Sequence, residues 1–145
     1  METRLQSLID KLRQRDFRIT PQRFAVLRIL ASSTAHPGAD QVYEEVRKEF
    51  PTISLATVYK TATLLREMGE LSELAMKDGT TRFDGRNPEP HPHVICTRCR
   101  TIADFDAPPL DSLAQEAAAK TGYRILGHRL DFFGLCPACR KQPGG

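Results

Sequence analysis

No stretch of this 145-residue sequence strings together the roughly 18 apolar residues that a membrane-crossing helix requires. A membrane is therefore not an expected partner. The opening METRLQSLIDKLRQR is amphipathic and charged. It lacks the apolar centre and small-residue cleavage site of a secretory signal, so the expected location is cytoplasmic. Repeats and low-complexity tracts are missing too, apart from the polar tail KQPGG. Charge of one sign is scarce: the formal net charge is only +3, too little to mark a nucleic-acid binder by itself. A local bias lies between Met1 and Leu30, where seven Lys/Arg stand against three Asp/Glu.

What is present is a globular composition, 40% hydrophobic and 27% charged. The length suits one ordinary domain or two small ones, and a half of about 60 residues buries too little apolar surface to be secure alone, so a staple is expected. Leu5, Leu8, Ile9 and Leu12 recur at helical spacing. Thr20-Pro21 reads as the cap and first residue of a second helix burying Phe24, Leu27 and Leu30. After a break from Ser33 to Gly38, Val42, Tyr43, Val46 and Phe50 mark a third helix ended by Pro51. Ser54 caps a fourth, with Val58, Ala62 and Leu65 on one face and Gly69 at its stop. The spacing then shortens: LSELAM, the turn KDGT and TRFD predict a β-hairpin, with Asp78-Gly79 suited to a type I′ turn. Helices followed by a hairpin are the order of a winged helix-turn-helix.

The segment GRNPEPHP holds three prolines and suits neither a helix nor a central strand. It predicts a hinge over 85–92 between a winged-helix domain, 1–84, and a second domain, 93–145. In the latter, HVIC and TIADF predict short strands, and Leu110, Leu113, Ala114 and Ala117 a helix ended by Gly122. A final strand is predicted over Tyr123 to Leu135, with Leu130 and Phe132 opposite Arg129 and Asp131. The fold class is α+β: an N-terminal winged helix-turn-helix and a small C-terminal α/β domain.

The cysteines fall as two C-x-x-C pairs, Cys96/Cys99 and Cys136/Cys139, and in a reducing compartment such pairs point to metal before disulfides. A two-residue spacer turns the chain back at the sulfur separation of a tetrahedral site, and the 36 residues between the pairs accommodate a strand, a helix and a second strand. The expected result is a closed structural Zn(II) site, whose binding energy, roughly 10 to 16 kcal/mol in finger peptides, supplies the missing staple. The competing readings are a redox dithiol pair and four unligated cysteines. A zinc deaminase needs H-x-E before P-C-x-x-C, but His91-Pro92-His93 carries no glutamate, so no enzyme is expected.

In a winged helix-turn-helix the recognition helix presents its N-terminal half to base edges. Here that half holds Ala56, Thr57, Tyr59 and Lys60, with Arg18 and Arg23 available for phosphate contacts. Singly, Tyr59 would be a packing residue and Lys60 a solvated charge; the order of elements favours DNA. FRITPQR, SLATVYKT, TRFD, HPHVICTRC and CPAC, in this order from about Leu5 to Cys139, resemble the signatures of the Fur (ferric uptake regulator) family.

The resemblance implies a winged-helix DNA-binding domain, a C-terminal dimerisation domain, and a homodimer that represses transcription on pseudo-palindromic double-stranded operator DNA when a regulatory metal is bound. It also implies that regulatory site: His36, Asp84, His91, His93 and Asp104, each of which taken alone would be a solvated polar residue. Three imidazoles and two carboxylates without thiolate suit Fe(II) or Mn(II). Asp84 and Asp104, where iron-sensing members usually carry glutamates, resemble the peroxide-sensing branch, in which His36 and His91 match the histidines oxidised when bound iron meets peroxide. The alternative is a family member sensing iron, manganese or zinc availability with no peroxide response. The sequence departs from the family at a third metal site: Asp111 and His128 match, but Pro90 and Pro92 replace two ligands. Asp16-Phe17 stands where Gly-aromatic is usual, and Lys60 replaces a common arginine.

Overall fold

The computed structural model describes residues 3–89, 91–106 and 108–142. The chain divides into two compact units, Met1–Glu89 and Pro90–Gly145, the division falling within the proline-rich segment. Pro90 itself lies outside the described residues. No helix among the described residues is long and apolar enough to cross a membrane.

The first unit runs α1 (Arg4–Gln14), α2 (Pro21–Ser32), α3 (Ala39–Glu49), α4 (Leu55–Glu67), β1 (Ser72–Ala75) and β2 (Thr81–Asp84), a winged helix-turn-helix. Three of its four helix starts are set by hydroxyl caps that satisfy otherwise orphaned backbone donors. Thr3 Oγ1 accepts from the Gln6 N–H at 3.0 Å, Thr20 Oγ1 from Arg23 at 3.1 Å, and Ser54 Oγ from Thr57 at 3.2 Å. The core draws on every helix: Leu8 and Leu12, Val26, Leu27 and Leu30, Val42 and Val46, Val58 and Leu65. Phe24, expected inside, is 37% exposed. At 3.6 residues per turn it lies about 120° around the helix from Leu30, off the centre of the buried stripe. The small Ala25 and Val26 pack inward in its place.

The hairpin forms as expected, with antiparallel register from Ser72↔Asp84 to Ala75↔Thr81. Its turn is not type I′, because Gly79 has positive φ but Asp78 does not. The Gly79 N–H donates to the Met76 carbonyl at 3.1 Å, and Asp78 Oδ1 instead accepts from the Thr80 N–H at 2.9 Å. The Asp side chain thus organises a longer loop locally, as acidic turn residues do.

An ionic cluster ties α1 to both ends of this wing. Glu70, just before β1, accepts from Arg4 Nη1 at 2.9 Å and Lys11 Nζ at 2.7 Å, while Arg4 Nε donates to the Gly85 carbonyl, just after β2, at 2.7 Å. Gly85 is sterically required: a Cβ there would stand 2.8 Å from the Leu30 carbonyl oxygen.

The second unit contains β3 (His93–Cys96), β4 (Ile102–Asp104), α5 (Asp111–Thr121), β5 (Asp131–Gly134) and the short α6 (Pro137–Arg140). The sheet order is β4-β3-β5, with β3 antiparallel to β4 and parallel to β5. Helix α5 ends at Gly122 with φ of 75°, as expected, but none of its residues is buried and Leu113 is 60% exposed. The long final strand reduces to Asp131–Gly134. Within it Phe132 and Asp131 take opposite faces, as expected: Phe132 is 50% exposed, while the Asp131 side chain is 8% exposed because it meets His93. Alternation fixes which residues share a face, not which face is covered.

Two outcomes follow from the first unit. Burial raises the Glu70 carboxyl pKa, but the hydrogen bonds and charges of Lys11 and Arg4 outweigh it and hold Glu70 below its ordinary 4.5. A depressed folded-state pKa contributes stability above the unfolded value that is lost as pH falls through the folded one. Denaturant titrations should therefore show the stability of Glu70→Gln falling less steeply below pH 4.5 than that of the parent; identical slopes would remove Glu70 from the acid sensitivity. Gly85→Ala should lower stability by about 1 to 3 kcal/mol through overpacking, read from the urea midpoint.

Candidate metal centres and DNA-facing helix

The four cysteine sulfurs of the second unit lie within 4.8 Å of one another. The sulfurs of Cys99 and Cys136 stand 3.6 Å apart, near the roughly 3.8 Å edge of a tetrahedron built on Zn–S bonds of about 2.3 Å. Each pair is turned by its own backbone: the Cys99 N–H points at Cys96 Sγ and the Cys139 N–H at Cys136 Sγ, both at 3.4 Å. Cys136 also caps α6, with Pro137 in the first turn. Backbone N–H groups of Cys136 and Cys99 draw the Cys96 thiol down to about 5, whereas burial pushes Cys139 up to about 12. Four soft donors with no open position fit a structural zinc.

His36 and Asp84 form a pair inside the first unit. His36 occupies the loop between α2 and α3 in the left-handed region, φ 51°, which is uncommon for a non-glycine residue. The loop is strung onto β2: Arg82 donates to the carbonyls of His36 and, at 2.8 Å, Ala35, and the Phe83 N–H donates to Pro37 at 2.9 Å. This brings buried His36 Nδ1 to 3.6 Å from Asp84 Oδ2. Asp84 Oδ1 accepts from the N–H groups of Arg86 and Asn87 at 3.1 and 2.8 Å, fixing the carboxylate.

His91, His93 and Asp104 gather inside the second unit. Asp104 Oδ1 stands 3.3 Å from His91 Nε2 and 3.6 Å from His93 Nε2, and the two rings lie 4.5 Å apart. The sheet explains the convergence, since Asp104 on β4 is the register partner of His93 on β3. Sequence reasoning missed Asp131, the partner of His93 on its other side, whose Oδ1 is 3.2 Å from His93 Nδ1. No spacing rule relates residues 93 and 131; only the parallel strand pairing does.

On α4, Ala56, Tyr59 and Lys60 form one exposed stripe opposite the buried Val58, Ala62 and Leu65, with Tyr59 50% exposed. Thr57 is half-buried and its hydroxyl is bonded to Ser54 Oγ at 3.0 Å. Arg18 is exposed, and Arg23 donates to the Arg18 carbonyl at 2.7 Å, holding the chain ahead of α2.

A winged helix-turn-helix followed by a thiol-clustered α/β unit and histidine–carboxylate groups is the build of a metal-dependent transcription regulator, not of an enzyme. The chain belongs to the ferric uptake regulator family, whose profile matches residues 14–133. It is 41% identical over 138 residues to the peroxide operon regulator of Bacillus subtilis (strain 168), covering 95% of this chain and 94% of that one. Among solved structures it is similar to the peroxide-sensing PerR of Streptococcus pyogenes, with 34% identity, 94% and 93% of the chains covered and a TM-score of 0.55. The ferric uptake regulator Fur of Helicobacter pylori, described as having three functional metal binding sites, shares the fold with a TM-score of 0.78 at 22% identity over 97% and 94% of the chains.

The thiol cluster is testable directly. Purified parent protein should carry one zinc per chain by elemental analysis, and Cys136→Ser should lose most of it and unfold at lower temperature. Undiminished zinc in the variant would show that these sulfurs are not its ligands.

Proposed function

We propose that the protein is a cytoplasmic, metal-dependent repressor that binds operator DNA as a homodimer and senses peroxide through oxidation of histidines at its regulatory metal site. The observation that carries this reading is the chemistry of the two histidine–carboxylate groups. His36 with Asp84, and His91 and His93 with Asp104, offer imidazole and carboxylate donors and no thiolate, a set suited to Fe(II) or Mn(II), while the soft donors are segregated at the cysteines. The relatives' names, peroxide operon regulator and PerR, favour peroxide over metal availability as the signal.

Zn(II) is assigned to Cys96, Cys99, Cys136 and Cys139, and Fe(II) or Mn(II) to His36, Asp84, His91, His93 and Asp104. These five ligands come from the winged-helix domain (1–84), the hinge (85–92) and the dimerisation domain (93–145), so that holding them together restrains the wings for two half-sites of a pseudo-palindrome. Fe(II) held there would activate peroxide by lending an electron that it regains as the ring is oxidised, a chemistry Mn(II) performs poorly. The imidazoles of His36 and His91 are the groups oxidised, each gaining one oxygen atom as peroxide is reduced to water. An oxidised imidazole is a poorer donor, and the restraint is lost. On the DNA side, Ala56, Thr57, Tyr59 and Lys60 address bases while Arg18 and Arg23 address the backbone. Dimerisation is supported by the exposed apolar surface of the second unit, where Leu113, Tyr123 and Leu126 are 60%, 73% and 86% exposed.

Operator binding measured with metal-free, Mn(II) and Fe(II) protein, before and after peroxide, tests this reading. Metal should tighten binding about 100-fold, equivalent to about 2.7 kcal/mol of coupling. Peroxide should abolish binding only in the Fe(II) sample and add about 16 Da to the peptides containing His36 or His91. Equal affinity of metal-free and loaded protein at matched salt would overturn metal dependence; an Fe(II) form indifferent to peroxide would leave a sensor of metal availability.

A further inference from the structure

We propose that Asp131 is a positioning residue for the regulatory metal, selecting the imidazole tautomer of His93 that can bind it. The inference rests on the reading of His93 as a ligand. A neutral imidazole carries one N–H, and the nitrogen left bare is the one able to coordinate; which is bare depends on what the other nitrogen meets. His93 is the central-strand residue of the second unit's sheet, with a carboxylate residue in register on each side: Asp104 on β4 and Asp131 on β5.

The two carboxylates meet different nitrogens. Asp131 Oδ1 lies 3.2 Å from Nδ1, while Asp104 Oδ1 lies 3.6 Å from Nε2, on the edge of the ring shared with His91. Asp131 is nearly buried, and its second oxygen is held by Arg129 Nε, so the carboxylate is fixed at both oxygens. A carboxylate with no proton to give accepts from Nδ1–H. That places the proton on Nδ1 and leaves the Nε2 lone pair beside Asp104 and His91, where a metal ligand is needed. Metal-bound histidines generally donate their other N–H to such an acceptor, and losing the acceptor typically weakens metal binding about 10- to 100-fold. Asp104 is in this account a ligand and Asp131 is not, although both touch the same ring. The face that β5 turns to His93, carrying Asp131 opposite the exposed Phe132, has a function on this account.

The test uses the full-length chain with its cysteine-bound zinc retained. In metal-free regulatory-site protein, long-range ¹H–¹⁵N correlation spectra should show His93 as the Nδ1–H tautomer. Asp131→Asn, whose amide can donate to Nδ1, should shift His93 toward Nε2–H and weaken Mn(II) binding by about 10- to 100-fold, with zinc content unchanged. Asp131→Glu should recover part of both. An unchanged tautomer and unchanged Mn(II) affinity in Asp131→Asn would overturn this assignment while leaving the regulatory site in place. Mn(II) binding undiminished by His93→Ala would instead overturn the ligand reading, and the assignment with it.

Discussion

The second unit depends on four sulfurs meeting at one place, because little else holds it. Its buried apolar residues among the described ones are Ile95, Cys96, Ile102 and Cys139, two of them cysteines, whereas the first unit buries a core drawn from all four of its helices. A three-stranded sheet with so small an interior cannot offset its ordering entropy by apolar burial alone. The sulfur cluster joins the end of β3 to the chain leaving β5, and those two strands lie parallel with a helix between them. Whatever β3 and β5 bring together therefore inherits its position from the cysteines, and that includes His93 and Asp131.

The first unit solves the equivalent problem with ordinary packing and a few polar ties. Arg4 reaches Glu70 before the wing and Gly85 after it, while Arg82 reaches back to the loop carrying His36. These contacts converge on one short stretch of chain. Asp84 is held by the Arg86 and Asn87 amides, the next residue is pinned against Leu30 by having no side chain, and His36 is drawn toward it by the strand that Asp84 ends. A polar pair this deeply buried is costly unless its geometry is imposed from outside, and here the wing imposes it.

Donor chemistry separates the two kinds of centre. Thiolates are confined to the cysteine cluster, and the histidine groups contain only nitrogen and oxygen donors. On the proposed reading, softness would direct zinc to the sulfurs and leave the mixed nitrogen and oxygen sets, suited to higher coordination numbers, for iron or manganese. The same separation would allow a regulatory metal to be exchanged or consumed on that reading without loss of the structural one.

Much of this was fixed by local sequence. Thr20-Pro21 and Ser54 start helices, the paired C-x-x-C motifs turn the chain at each knuckle, Gly122 ends α5, and the ordered motifs identify the family, because each depends on residues within a few positions of one another. The winged helix followed from the order of such elements. What only tertiary structure decided is what depends on distant partners: that Phe24 lies off the buried stripe, that α5 fully buries none of its residues, that Phe132 faces out, and that Asp131 faces the ring of His93. Sequence periodicity tells which residues share a face; the register of β3 against β5, set by a crossover of more than thirty residues, determines which of those faces meet.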